Sequence, residues 1–249
     1  MIKGLRVAVI GASSGLGRTI GIGLAQQGAR VALLARRADR LDGAAAIAGN
    51  DARPIVCDVT DEASCRRAID DAATAWGGLD GLVYSAGAIA IGPLEKVDSA
   101  TWARLFATNV TGAALTTAAA LPHLQASRGV AVYLSSISAS LTPPWPRIGS
   151  YITTKAALDK LVEAWRVEHP RVRFTRLAVG DCAGGDGPSG SEFVSHVDPV
   201  VAAEAINEWL RLGYMTGNLI GPDDLVDAVD AVLCCPSNIP TLTLAPTKP

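Results

Sequence analysis

Leu5-Arg-Val-Ala-Val-Ile10-Gly11-Ala-Ser-Ser-Gly15-Leu-Gly17, near the head of the chain, decides its fold class. Apart from Arg6, residues 5–10 are apolar, a run that suits a short strand buried on both faces. Three glycines follow within seven residues, and then a helical pattern runs over Gly17–Gln27. A strand, a glycine turn and a helix in this order aim backbone N–H groups and a helix N-terminus at one point, where a pyrophosphate can sit. The spacing Gly-x-x-x-Gly-x-Gly is weak by itself, because a chain this rich in glycine would show it by chance roughly 0.2 times. Its place between the first strand and the first helix carries the reading. The commoner Gly-x-Gly-x-x-Gly pattern fails, since Ile20 stands three residues after Gly17.

Outward from this turn, short apolar runs alternate with longer amphipathic ones, as repeated β-α units around a parallel sheet require. The predicted strands are Leu5–Ile10, Arg30–Ala35, Pro54–Asp58, Leu79–Ser85, Val130–Ser135, Arg173–Val179 and Thr241–Ala245. Helices are predicted over Gly17–Gln27, Asp39–Ala48, Glu62–Trp76, Ser99–His123, Tyr151–Glu168 and Pro222–Leu233. Asp61 and Ser99 read as N-caps and Gly77-Gly78 as a helix stop. The expected fold is α/β: a doubly wound parallel sheet of about seven strands with helices on both faces. Residues 180–221 break the rhythm, first rich in Gly, Ser, Asp and Pro and then amphipathic over Pro199–Leu212. An insertion between a strand and the next helix reads as a substrate loop, with a surface excursion as the plainer alternative.

The 249 residues, 49% hydrophobic and 18% charged, are expected to form one domain spanning 1–249. A formal charge of −2 and a pI near 5.9 offer nucleic acid or an anionic membrane no electrostatic hold. Mean hydropathy is positive at +0.27, yet no run reaches the roughly 18 apolar residues of a membrane span. The start Met-Ile-Lys-Gly-Leu-Arg lacks a signal-peptide cleavage pattern. Cys57, Cys65, Cys182, Cys234 and Cys235 show no metal-ligand spacing, so reduced thiols in a cytoplasmic protein are expected.

The second strand ends Leu33-Leu-Ala35-Arg36-Arg37, where such folds meet the adenosine ribose. A carboxylate there would bond the 2′-hydroxyl, whereas Arg36 would pair with a 2′-phosphate. A charge-assisted bond of roughly 1.5–3 kcal/mol favours NADP(H) over NAD(H) by about one to two orders of magnitude. The plainer alternative is a solvated Arg pair at a helix entrance, a role that suits Arg37.

Tyr151-Ile-Thr-Thr-Lys155 opens a predicted helix and puts a phenol and an ammonium on one face, at i and i+4. A phenol must lose about three pKa units to act as acid and base near neutrality. A cation roughly 4 Å away at an effective dielectric of about 20 supplies the required 4 kcal/mol or so.

Gly11-Ala-Ser-Ser-Gly15-Leu-Gly17, Asp58-Val59, Ser85-Ala86-Gly87, Asn109, Ser135-Ser136 and Tyr151-x-x-x-Lys155 follow in this order along the chain. Together they resemble the short-chain dehydrogenase/reductase family, a Rossmann-type fold, over essentially the whole length. The resemblance implies an oxidoreductase moving a hydride between a nicotinamide dinucleotide and a small carbonyl or alcohol; Arg36 points to NADP(H), and the aromatic group around Trp145 to an apolar substrate. Tyr151 would be the proton donor or acceptor. Lys155 would depress the Tyr151 pKa and hold the nicotinamide ribose, and Asn109 would position a water leading from Lys155. Gly11, Ser13, Ser14, Gly15, Leu16, Gly17, Arg36, Asp58, Val59, Ala86 and Gly87 would line the cofactor with Tyr151 and Lys155. The serine that steadies the substrate oxygen is Ser136, at the strand end and fifteen residues before Tyr151, with Ser138 as the alternative. Departures from the family pattern are Ile10, the Tyr84-Ser85 pair and Val179-Gly180-Asp181. A homodimer or homotetramer is implied by the resemblance alone.

His123, His169 and His196 form no metal pattern. Trp145, Phe193, Trp209, Tyr214 and Met215 flank the expected site and are candidates for an apolar lid over the substrate, or for ordinary packing. A non-catalytic dinucleotide sensor or scaffold is the rival reading, favoured by the departures. The pairing of Tyr151 with Lys155, which a scaffold does not need, argues against it.

Overall fold

All seven predicted strands are present in the computed structural model, which describes residues 2–49, 51–183 and 197–247. They are β1 (Arg6–Ile10), β2 (Arg30–Ala35), β3 (Arg53–Val56), β4 (Gly81–Tyr84), β5 (Val130–Ser136), β6 (Arg173–Val179) and β7 (Thr241–Leu244). They form one sheet in the order β3-β2-β1-β4-β5-β6-β7, with every pairing parallel. The chain winds outward from β1 to β3 and then returns to lay β4 on the other side of β1. This reversal opens a crevice at the C-terminal ends of β1 and β4, the place where doubly wound sheets bind ligands.

The helices are α1 (Gly15–Gln26), α2 (Ala38–Ala48), α3 (Glu62–Trp76), α4 (Ser99–Phe106), α5 (Gly112–Ser127), α6 (Ile137–Ser140), α7 (Gly149–Glu168), α8 (Pro199–Arg211) and α9 (Pro222–Cys234). Alternate residues of a strand point to opposite faces, so β1 serves two cores. Val7 and Val9 pack with Leu24 of α1, Leu41 of α2 and Val229 of α9. Ala8 and Ile10 pack with Ile69 of α3, Leu124 of α5 and Leu158 of α7. Burying both faces is what makes these strands read as continuous apolar runs.

Arg6, the polar exception in β1, ties the N-terminal end of that strand to the start of β4. Its Nε and Nη2 bond the two carboxylate oxygens of Asp80 at 2.8 and 2.6 Å, and Nη1 donates to Gly77 O at the end of α3 at 2.9 Å. Burial pushes the Asp80 carboxyl up, and the bonds from Arg6 more than offset this, holding it below the usual carboxylate range.

Several sequence expectations are corrected. The cap of α4 is Asp98 rather than Ser99: its Oδ1 accepts from Thr101 N at 2.8 Å, and Ser99 is the first helical residue. The predicted helix Ser99–His123 is α4 and α5 joined by a π turn over Ala107–Thr111, and it runs on to Ser127. α1 and α7 each begin two residues earlier than predicted, and β4 is confined to Gly81–Tyr84. Within residues 180–221, Cys182 pairs with Ile220 in an isolated parallel bridge and α8 covers most of the amphipathic stretch. The Gly/Ser-rich part, with Phe193 and His196, lies outside the described residues. Among the described residues no helix is long and apolar enough to cross a membrane, and no His/Cys/Asp/Glu group is placed to hold a metal ion.

Candidate active site

The crevice is built by close approach of backbone to backbone. Gly11, with φ at +87°, carries the chain out of β1 so tightly that a Cβ there would lie 2.7 Å from Ala86 N. A Cβ on Gly17 would lie 2.4 Å from Gly11 O. Two glycines therefore let α1 start directly over the ends of β1 and β4. Gly15 is buried, Leu16 and Ala86 are half-buried, and Gly87 is exposed at the mouth.

Ser14 occupies the N-cap of α1 yet makes no capping bond with its side chain. Instead, Arg37 Nη2 donates to Ser13 Oγ at 2.8 Å and to Ser14 Oγ at 3.0 Å. Burial, and then the charges of Arg40 and Arg36, pull the Arg37 pKa down. A helix N-terminus without a side-chain cap, two hydroxyls and three crowded guanidinium groups form a donor set that suits a phosphate. Arg37, expected to be solvated, thus joins the turn, whereas Arg36 is exposed. Asp58 Oδ1 accepts from Thr60 N and Thr60 Oγ1 at 2.9 and 2.8 Å, so its carboxylate mainly closes its own turn. Val59 is buried against Gly112, where an added Cβ would meet it at 2.8 Å.

Ser136 ends β5, and α7 presents Tyr151 and Lys155 one turn apart beside it. Ser136 Oγ lies 2.8 Å from Ser138 Oγ and stands close enough to Tyr151 to favour the ionised phenol. The two serines weighed from the sequence are therefore neighbours, with Ser136 the one that reaches Tyr151. Lys155 Nζ donates to Leu134 O at 2.7 Å and stands 5.7 Å from the Tyr151 ring centroid. Burial pushes the Lys155 ammonium down to about 8, against an upward pull from Asp159. Burial also pushes the Tyr151 phenol up; Ser136 offsets part of this and Asp159 adds to it. Burial, rather than the expected depression by Lys155, sets the net direction for Tyr151.

Asn109 sits in the π turn and is fully buried. Its Oδ1 accepts from Ala88 N at 2.7 Å, and its Nδ2 donates to Ala88 O and Thr154 Oγ1 at 2.9 and 2.8 Å. Thr154 Oγ1 in turn donates to Tyr151 O at 2.7 Å. The amide is thus committed to tying the β4 exit to the helix that carries Tyr151. Tyr84, a departure from the family pattern, donates its hydroxyl to Thr108 O within the same π turn at 2.5 Å. Tyr84→Phe leaves that buried carbonyl without its partner and is expected to cost about 2 kcal/mol, read as a lower denaturant midpoint. Arg37, Thr154 and Tyr84 were not legible as site residues, because each acts through a contact distant in sequence.

One wall of the site is apolar. Trp145 stacks on Tyr214 and tilts against Trp209, with centroids 5.7 and 5.5 Å apart. Tyr151, Ile148, Ile152, Ile89 and Met215 belong to the same cluster. Trp209 Nε1 donates to Pro146 O at 2.8 Å, and Arg147 bridges Glu204 and Glu208 at 3.0 and 3.1 Å. These contacts hold α8 against the stiff segment that precedes Tyr151. His123 and His169 lie elsewhere, facing Asp70 and Gln125.

A β3-β2-β1-β4-β5-β6-β7 sheet with a glycine turn at its switch point is a Rossmann-type dinucleotide-binding architecture. The short chain dehydrogenase family model matches residues 6–184, and the chain belongs to that family. It is 41% identical over 172 residues to 11-beta-hydroxysteroid dehydrogenase 1A of Arabidopsis thaliana, covering 67% of this chain and 49% of that protein. The chain thus spans about half the length of the hydroxysteroid dehydrogenases that it matches. Serine 3-dehydrogenase of Rhizobium radiobacter is 28% identical over 214 residues, 81% of this chain and 84% of that one. Among solved structures, an alcohol dehydrogenase from the archaeon Thermococcus sibiricus complexed with 5-hydroxy-NADP superposes with a TM-score of 0.78. It covers 96% of both chains at 26% identity.

Proposed function

We propose that this chain is an NADP(H)-dependent oxidoreductase acting on the C=O or CH–OH group of a small, apolar substrate. The observation that carries the reading is Tyr151 and Lys155, one turn apart on α7, placed beside Ser136 at the C-terminal end of β5. Tyr151 Oη gives its proton to the substrate oxygen in reduction and takes it back in oxidation. Ser136 steadies that oxygen, Lys155 supplies positive charge, and Asn109 fixes the floor through Ala88 and Thr154. NADP(H), when bound, supplies or accepts the hydride. Gly11, Gly15, Leu16 and Gly17 would hold its pyrophosphate, and Ser13, Ser14, Arg36 and Arg37 its 2′-phosphate. Asp58, Val59, Ala86 and Gly87 would flank the adenosine end and the nicotinamide approach.

Residues 180–221 serve as the substrate loop of a single domain, with Trp145, Trp209, Tyr214 and Met215 as its apolar wall. The names of the steroid and alcohol dehydrogenases similar to this chain support a carbonyl/alcohol substrate, and a homo-oligomer is the family's usual form. A side-by-side fluorescence titration with NADPH and NADH tests the cofactor. NADPH binds at least about tenfold more tightly, and Arg36→Ala and Arg37→Ala each erase most of that preference. Equal binding of the two dinucleotides overturns the NADP(H) assignment.

A further inference from the structure

Behind Lys155 lies a charged pair that the reaction as described does not use. Asp159 follows Lys155 by one turn of α7 and is only 6% exposed. Its Oδ2 accepts from Arg176 Nη1 of β6 at 3.0 Å, and from Ser140 Oγ of α6 at 3.5 Å. The same Arg176 nitrogen donates to Ser140 Oγ at 3.1 Å. Burial pushes the Asp159 carboxyl up, and Ser135 of β5, Arg176 and Lys155 offset only part of this; Ser135 stands outside good hydrogen-bond geometry. Ser135 Oγ, Asp159 Oδ1 and Arg176 Nε are therefore buried without a hydrogen-bond partner. An ion pair left partly unsatisfied in the interior is a poor stabilising device, since desolvation offsets much of its attraction.

Its position suggests a different use, because its bonds join α6, α7 and β6 around the site. β5 and α6 bracket Ser136, α7 carries Tyr151 and Lys155, and β6 runs alongside β5. We propose that Asp159, one turn from Lys155 on α7 and beyond ion-pair distance of it, supplies the negative charge that favours the protonated form of the buried lysine, and that Arg176 sets how much of that charge Lys155 feels. Both are positioning residues, and the inference rests on Tyr151 and Lys155 being the working pair.

The signs are fixed by electrostatics. A negative Asp159 makes a proton harder to remove from Lys155 and from Tyr151, as the shifts of both groups reflect. A positive Arg176 does the reverse. Other groups around the pair are uncharged or lie farther out. Leu134 O and Ser135 face it from β5, Ser140 from α6, and Asn109 reaches α7 through Thr154. On α7 itself, Glu163 feels the charges of Lys160, Arg166 and Arg176.

The test is a pH titration of the full chain carrying carbon-13 at the lysine Cε, followed by NMR, with Lys155→Met identifying the Lys155 signal. The Lys155 midpoint falls by about one unit in Asp159→Asn and rises in Arg176→Gln. Arg176→Lys, which keeps the charge, restores the wild-type midpoint. If Asp159→Asn does not fold, Asp159→Asn/Arg176→Gln removes both partners of the Asp159–Arg176 pair, so that Arg176 is not left unpaired, and must titrate below Arg176→Gln alone. A merely structural pair moves the midpoint in the same direction in both single variants, or not at all, and either result overturns the inference. Turnover by Lys155→Met or Tyr151→Phe would overturn the proposed function instead, without touching the lysine titration.

Discussion

Tyr151→Phe loses turnover by about two to four orders of magnitude on any carbonyl that the wild type reduces, while NADPH binding stays within about twofold. The phenol is the only group in the proposed scheme that exchanges a proton with the substrate oxygen, and Phe keeps the ring but not the proton. Packing is preserved because the ring sits in the cluster of Trp145, Ile148, Ile152 and Trp209, which the substitution leaves intact. Ser136 keeps its Ser138 neighbour and sustains only residual activity. Paired single-turnover and cofactor-titration measurements separate the two effects. Undiminished turnover would instead favour the non-catalytic sensor, which has no use for the hydroxyl.

Gly17→Ala is the second large effect, and it acts on the fold before it acts on the chemistry. Its Cβ would stand 2.4 Å from Gly11 O, which belongs to backbone and has no flexible end to move aside. The clash pushes α1 off the switch point, at a cost of about 3 kcal/mol. For a chain of this size that lowers the melting temperature by roughly 10 °C, and cofactor affinity falls with it. Gly43→Ala in α2 is the contrast. Nothing lies within 4 Å of its added Cβ, so it raises stability by about 0.5–1 kcal/mol. Thermal melts of the two variants should bracket the wild type, and a Gly17→Ala melt at the wild-type temperature would refute the close-approach argument.

The order of strands and helices is legible in the sequence because each inner strand is buried on both faces and helices such as α3, α8 and α9 carry a single apolar stripe. β3 is harder to delimit, lying at Arg53–Val56 against the expected Pro54–Asp58, since the exposed residues of an edge strand break the apolar run. α6 is invisible for a different reason: four residues cannot show a helical period. At the site, Tyr151, Lys155, Ser136 and the glycines are legible from spacing along one element or across one turn. Arg37 is not, because nothing local distinguishes it from Arg36; only the fold brings Ser13 and Ser14 beneath its guanidinium. The same holds for Asp159 and Arg176, which lie on different elements.

The Ala107–Thr111 turn amounts to one surplus residue in an otherwise continuous helix. At 3.6 residues per turn, one residue rotates everything after it by about 100°. α4 and α5 are therefore two rods geared out of phase, the first presenting Leu105 to the interior and the second Thr116, Thr117 and Leu124. Removing any one residue of that turn would re-phase the rods. Asn109 would swing away from Ala88, and the polar Thr116–Thr117 stripe would roll out from beneath Tyr133, the partner of Thr117 at 2.7 Å. A length change of one residue at this point is thus a rotation, whereas the same change in a surface loop is only a detour.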